Sequence, residues 1–219
     1  MTVAVVAGGT GPIGKAVASR LAAAGFQVAV LARADLADVD SAITGIEQSL
    51  GPVGVLVNAA HPRLHTPAPV ASIDPADLAA HLGAVQLHAA LCARVVPGMR
   101  SAGWGRVVYL SGALMARPVA GRGAYGAAKA AASVLTRYLA LEEGRHGITA
   151  NIVAPGRVAD PGEELSPEQE ALAERLRETL ALPDFPDPDD VADAVHTLVN
   201  LGALTGQTLW VTGGEPIHG

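Results

Sequence analysis

Thr2-Val3-Ala4-Val5-Val6-Ala7-Gly8-Gly9-Thr10-Gly11-Pro12-Ile13-Gly14 passes from an apolar, β-branched run into glycines. Helical spacing follows from Ile13 to Ala24, closed by Gly25. The order is strand, tight turn, helix. N–H groups at a helix start, with the positive end of the helix dipole, attract an anion, and glycines let the backbone approach it closely. Placed between a strand and its helix, Gly8, Thr10, Gly11, Pro12, Ile13 and Gly14 are therefore predicted to hold a pyrophosphate. Pro12 has no N–H to offer.

Outward from this stretch, Gln27 to Leu31, Val53 to Val57, Arg106 to Leu110, Thr149 to Val153 and Thr208 to Val211 are further short apolar runs. Helical stretches lie between them. The longest begins at Asp74-Pro75, a capping residue ahead of proline at the first helical position, and runs to about Arg100. Another follows Tyr125. Apolar strands alternating with helices predict the α/β class: a Rossmann-like doubly wound parallel sheet in three α/β/α layers, with ligand at the carboxyl ends of the strands. Only six residues separate Arg33 from Asp40, whereas a parallel crossover carrying a helix needs about a dozen. The helix between strands two and three is thus expected to be shortened or missing, and strand three vestigial.

A chain of 219 residues fits a single domain, 1–219, with one core. The acidic segment from Asp160 and the Pro-rich stretch from Pro183 to Pro188 read as a substrate flap at about 160–185, not as a domain boundary. Half the residues are hydrophobic and 16% are charged, yet no uninterrupted apolar run approaches the ~20 residues that span a bilayer. The net charge of -6, without basic clusters, excludes a nucleic-acid footprint and an anionic membrane surface and favours a small-molecule partner. No basic, apolar leader precedes the first strand, and Cys92 is the only cysteine, so a reducing cytoplasm is expected.

Eighteen residues after Gly14 stands Ala32, and Arg33 follows it at the tip of strand two. A carboxylate there takes the ribose hydroxyls of NAD, whereas an arginine suits a 2′-phosphate. NADP(H) is therefore favoured over NAD(H). Asp35, with Leu36 beside it, remains an alternative ribose contact if the shortened connection bends inward.

Several segments together resemble the short-chain dehydrogenase/reductase family. The GxxGxxG spacing of Gly8, Gly11 and Gly14 resembles that of the family's extended and atypical members. Val55-Leu56-Val57-Asn58-Ala59-Ala60-His61 resembles the Leu-Val-Asn-Asn-Ala-Gly segment, with Ala59 and His61 as departures. Tyr125-Gly126-Ala127-Ala128-Lys129 matches Tyr-x-x-x-Lys, and Asn151 to Val158 resembles the Asn-x-x-x-Pro-Gly-x-Val segment that faces the nicotinamide. Thr205-Gly206-Gln207 and Gly213-Gly214 resemble the closing signature. The resemblance implies that Asn58, Ala59, Ala60, Tyr125, Lys129, Pro155, Gly156 and Val158 join the cofactor site. It implies reversible hydride transfer between a carbonyl and an alcohol, with Lys129 also holding ribose. It further implies a homodimer or homotetramer through the helices at about 75–100 and 125–145.

Tyr125 and Lys129, four apart, share one helix face. A phenol of pKa ~10 needs roughly 3 units of depression to act as a base near neutrality, which a neighbouring ammonium helps to supply. Three departures weaken the pattern. The family serine, counted back from Tyr125, falls at Gly112, so Ser111 is the candidate carbonyl donor only by a one-residue slide. The family's helix asparagine falls at Ala84, and Asp160 stands in place of a threonine. His61, His65, His81 and His88 lie near these vacancies as replacement acids or bases, or as packed histidines. No metal site is expected, because Pro62 places His61 and His65 in a loop. An altered dehydratase, cyclase or epimerase, or a non-catalytic dinucleotide-binding subunit, are the alternative functions.

Overall fold

The computed structural model describes residues 1–62, 67–160, 162 and 164–215. The elements run β1 (Val3–Ala7), α1 (Pro12–Ala23), β2 (Gln27–Leu31), α2 (Val39–Leu50), β3 (Val53–Asn58), α3 (Pro75–Ala102) and β4 (Gly105–Leu110). They continue α4 (Gly123–Glu143), β5 (Ile148–Pro155), α5 (Pro167–Arg177), α6 (Pro188–Asn200) and β6 (Thr208–Val211). The six strands form one parallel sheet in the order β2-β1-β3-β4-β5-β6. From β1 the chain winds first toward β2 and later the other way from β3, so the crevice between β1 and β3 is the switch point where such sheets bind ligands. Across it Ala7 pairs with Asn58, which pairs with Tyr109.

Strand alternation divides the core. Val3, Val5 and Ala7 face one layer with Ile43 of α2 and Leu91, Val95 and Met99 of α3. Ala4 and Val6 face the other with Val17 and Leu21 of α1 and Val191, Val195 and Leu198 of α6. Both faces are covered, which is why the strands read as continuous apolar runs.

After β2 the interval from Arg33 to Asp40 holds one 3-10 turn, Asp35–Ala37, and the start of α2, capped by Asp38 accepting from Ser41 N–H at 3.1 Å. The helix between β2 and β3 is neither shortened nor missing, since α2 runs 12 residues from Val39 to Leu50 and so begins within the interval counted as too short; no strand lies between the turn and α2, and β2 is the sheet edge. Helix α3 starts as the sequence predicts, with Asp74 accepting from Ala76 N–H at 2.8 Å and Pro75 at the first position. By length and composition alone it could cross a membrane, although polar residues such as Gln86 and Arg94 interrupt its apolar run. The helix instead lends Leu91, Cys92, Val95, Val96 and Met99 to the core. Helix α4 begins at Gly123, two residues earlier than expected, which puts Tyr125 in its first turn.

Candidate functional site

The glycine loop is shaped by backbone crowding. Gly8 has φ +78°, and a Cβ there would stand 2.7 Å from Ala60 N and 2.8 Å from the Ala59 carbonyl carbon. A Cβ on Gly14 would strike the Gly8 carbonyl oxygen, so α1 meets the loop only because both residues are glycine. Gly11 is the N-cap and supplies no side chain, and Pro12 is the first helical residue. The N–H groups of Ile13 and Gly14, in the first turn, have no carbonyl partner within the helix, and both residues line an open cavity. These features fit a pyrophosphate.

Two adjoining cavities share Gly8, Gly11, Ala59 and His61. One, of about 410 Å³, continues along Thr10, Arg33, Leu36 and Ala60. Asp35 does not line it: its carboxylate folds back to accept from Ala32 N–H at 2.7 Å, at the tip of β2. The exposed Arg33 stands at this cavity instead. The other, of about 500 Å³, is bounded by Pro12, Ile13, Gly14, Ser111, Gly112, Tyr125, Lys129, Pro155, Gly156, Val158 and Asp160. Asn58 lines neither. Its Oδ1 accepts from Ala60 N–H at 3.0 Å, which fixes the turn that Gly8 packs against.

Lys129 is buried and donates from Nζ to the Leu110 carbonyl oxygen at 2.6 Å. Burial pushes its pKa down to about 7. Tyr125 moves the other way: burial outweighs the neighbouring Arg122 charge and pushes the phenol up to about 12. The depression expected from Lys129 is not present, since Nζ lies 5.7 Å over the Tyr125 ring rather than at its hydroxyl. Ser111 is turned inward. Its Oγ lies 2.9 Å from Ser133 Oγ, 3.0 Å from Met115 Sδ and 3.4 Å from the Lys129 carbonyl oxygen. At Gly112, a Cβ would come within 2.9 Å of Tyr125 Oη, so the phenol occupies the space a side chain there would need.

Of the histidines, His88 is a satisfied core residue. Thr136 Oγ1 gives its proton to the Ala132 carbonyl at 2.8 Å, so at 3.0 Å it accepts from His88 Nε2–H, leaving Nδ1 to accept from Asn58 Nδ2–H at 3.2 Å. Burial, then Lys129, pushes its pKa down to about 4. His61 and His81 meet at 3.1 Å, Nε2 to Nδ1, and the His61 ring stands edge-on to Tyr125 at 4.9 Å. His65 lies outside the described residues. Among the described residues no group of three or more His, Cys, Asp or Glu side chains gathers for a metal.

Sequence reasoning missed Ser133, although it lies four residues after Lys129 on the same helix face. It also missed the buried Arg117–Glu215 ion pair that ties the loop after β4 to the chain beyond β6, for which no local signal exists. The pairing of His61 with His81, twenty residues apart, likewise depends on tertiary packing.

Residues 33–215 match the protein family described as enoyl-(acyl carrier protein) reductase. The chain is 34% identical over 248 residues to (2S)-[(R)-hydroxy(phenyl)methyl]succinyl-CoA dehydrogenase subunit BbsC of Thauera aromatica, covering 99% of this chain and 95% of that one. It is 30% identical over 243 residues to the acetoacetyl-CoA reductase of Rhizobium meliloti, covering 97% and 98%. Its fold matches a halohydrin dehalogenase bound to ethyl (2S)-oxiran-2-ylacetate, with a TM-score of 0.87 at 23% identity over 100% of this chain and 98% of that one. That likeness concerns architecture alone. With the glycine loop, the Tyr125–Lys129 pair and the Pro155-Gly156 segment gathered around one cavity at the carboxyl ends of the strands, the matches show that this enzyme belongs to the short-chain dehydrogenase/reductase family.

Proposed function

We propose that the protein is an NADP(H)-dependent oxidoreductase that interconverts a carbonyl and an alcohol on a small molecule. The observation that carries this reading is the sharing of one cavity of about 500 Å³ by the glycine loop, Tyr125, Lys129 and Pro155-Gly156. Gly8, Gly11 and Gly14 would hold the pyrophosphate, Arg33 the 2′-phosphate and Pro155, Gly156 and Val158 the nicotinamide side. When bound, the dihydronicotinamide supplies the hydride. Tyr125, pushed up by burial to about 12, keeps its proton through neutral pH and would be the group that donates it to a substrate oxygen in the reducing direction. Lys129 anchors the floor of the site through the Leu110 carbonyl. The Ser111 hydroxyl is engaged with Ser133 and the Lys129 carbonyl, so in this reading it braces the end of β4 and adds little to carbonyl polarisation.

Activity on CoA thioesters is the first substrate class to test, because two relatives carry such substrates in their names. A homo-oligomer through α3 and α4 is part of the proposal. It is supported by the exposed stripe Val134, Leu135, Tyr138 and Leu141, with Tyr138 and Leu141 60% and 82% exposed. The reading also keeps the protein cytoplasmic, consistent with a buried, unpaired Cys92 whose thiol is pushed up to about 12.

A second reading, a dinucleotide-binding subunit without its own turnover, is favoured by the glycine at position 112 and by the relative named as a subunit. One experiment separates them: NADPH oxidation across a carbonyl and 3-oxoacyl-CoA panel, with calorimetric NADPH binding, for wild type and Tyr125→Phe. The first reading expects turnover that Tyr125→Phe abolishes with affinity unchanged within about threefold. Binding without turnover selects the second reading, and no binding refutes both.

A further inference from the structure

Three strands end side by side at the reacting cavity. In the order β4-β5-β6, the chain leaves β4 through Ser111, β5 through Gly156 and β6 through Thr212. The last rungs run from Ser111 N–H to the Val153 carbonyl at 2.8 Å and from Gly156 N–H to the Val211 carbonyl at 2.9 Å, and beyond them the ladder stops. Arg117, in the loop after β4, and Glu215, four residues past β6, form an ion pair that spans the exit of β5 between them. A Cβ on Gly156 would stand 2.9 Å from Glu215 Oε2, so the carboxylate lies against the Pro155-Gly156 wall.

Both ends of the pair are anchored. Arg117 N–H donates to the Ala113 carbonyl at 2.9 Å and closes the turn after Gly112, whose Leu114 carbonyl oxygen lies 2.9 Å from where a Cβ on Gly126 of α4 would stand. Glu215 N–H donates to the Thr212 carbonyl at 3.2 Å, across Gly213 and Gly214 at φ +65° and +79°. The Gly213 carbonyl also accepts from Ala181 and Leu182 N–H at 3.0 and 2.9 Å, which fastens the chain after α5 to the same turn. As a source of stability alone the pair is a poor device. Glu215 is 4% exposed, and its Oε2 and Arg117 Nε are buried with no hydrogen-bond partner among the described residues. Burial pushes the Glu215 carboxyl up, against the pull of the Arg117 charge. Well-packed apolar side chains in such a place are often as stabilising or more so.

We infer that Arg117 and Glu215 are positioning residues, whose ion pair straps the end of β5 and holds the loop bearing Gly112 and the Pro155-Gly156 wall at one separation. The inference rests on the reading of this cavity as the reacting site. Neither residue lines the two cavities described above, so both act through others. Through the turn after Gly112 the strap bounds the space that Tyr125 Oη occupies, and through Gly156 it bounds the side assigned to the nicotinamide. Two walls built on different strands are thereby kept in register by one contact.

The test uses the full chain with Arg117→Met and Glu215→Leu together, which fills the same place without charge. Its urea midpoint is expected at or above that of wild type. Its kcat for carbonyl reduction is expected to fall about tenfold with KM changed less than about threefold, the mark of reacting groups displaced by a fraction of an ångström. Two readouts need no turnover. Amide hydrogen exchange at Met115, Ala116 and Arg117, whose N–H groups donate to the Gly112 and Ala113 carbonyls, is expected to quicken at least about fivefold. By calorimetry NADPH is expected to bind about threefold to tenfold more weakly, whereas adenosine 2′,5′-bisphosphate, which lacks the nicotinamide, stays within about twofold of wild type. Glu215→Gln, nearly isosteric, should move the same readings in the same direction, and it answers the question if the double variant does not fold. Unchanged exchange, unchanged kcat, or equal weakening of both nucleotides would overturn the strap. Absence of turnover in the wild type would instead refute the oxidoreductase reading, while exchange and nucleotide binding still decide the strap, so the two failures are distinguishable.

Discussion

Replacing Gly112 by alanine adds one methyl group, and the structure specifies what it meets. The new Cβ would lie 2.9 Å from Tyr125 Oη and 3.6 Å from Cε1 and Cζ, so the hydroxyl oxygen is the only atom in conflict. Relief requires the phenol to withdraw by about half an ångström to reach ordinary carbon–oxygen separation. The ring has little room, since His61 stands against it at 4.9 Å and Lys129 Nζ lies over it at 5.7 Å. Forcing such a side chain off its rotamer costs about 1 kcal/mol. A displaced proton donor also slows the reaction on the order of tenfold, by comparison with the ~10²-fold cost of a full ångström. The decisive assay is a double-mutant cycle in urea unfolding. Gly112→Ala should destabilise the wild type by about 1 kcal/mol and leave Tyr125→Phe nearly unaffected, because removing Oη removes the conflict. A coupling below about 0.3 kcal/mol would refute the packing. Gly112→Ser carries the same Cβ and should slow carbonyl reduction as alanine does, instead of restoring the serine of the family pattern.

Three further outcomes are expected. Arg33→Ala should weaken NADPH binding by about 10- to 100-fold, the loss of one charge-assisted contact, and leave NADH binding unchanged by calorimetry. Lys129, held down at about 7 from 10.5, binds fewer protons in the folded than in the unfolded chain between those values. Wild-type stability should therefore rise with pH from about 7 to 9, before the raised Cys92 thiol opposes it, and Lys129→Met should flatten that slope in chemical unfolding. Leu135→Asp, on the exposed stripe of α4, should convert the oligomer to monomer in light scattering while leaving the unfolding midpoint of the monomer unit within about 0.5 kcal/mol of wild type.

The fold was legible because its signals are local. Val3 to Ala7 and Val55 to Val57 are buried on both faces and therefore run apolar without interruption, and Asp74-Pro75 announces α3 by capping chemistry alone. Counting residues after Arg33 shows that no further strand-and-helix unit fits there, but it misplaced the loss: the helix between β2 and β3 is complete, and only the extra strand is absent. The site was legible only in part. Gly8, Gly14, Tyr125 and Lys129 carry constraints written in their own types, whereas the inward turn of Ser111 depends on Ser133, and the retreat of Asp35 depends on the free N–H of Ala32. The long-range His61–His81 contact had no signature at any single position.

The departures from the family pattern are spatially one feature. Position 112 lacks a side chain, and the Tyr125 hydroxyl lies in that space. Once the phenol sits deeper, burial raises its pKa instead of lowering it, and Lys129 beneath its ring is driven toward neutrality because the same burial offers its ammonium no carboxylate. In this wall, which Asp160 also borders, the phenol, the amine and the imidazoles carry little charge of their own. Such a cavity holds a donor proton on Tyr125 over a wide pH range.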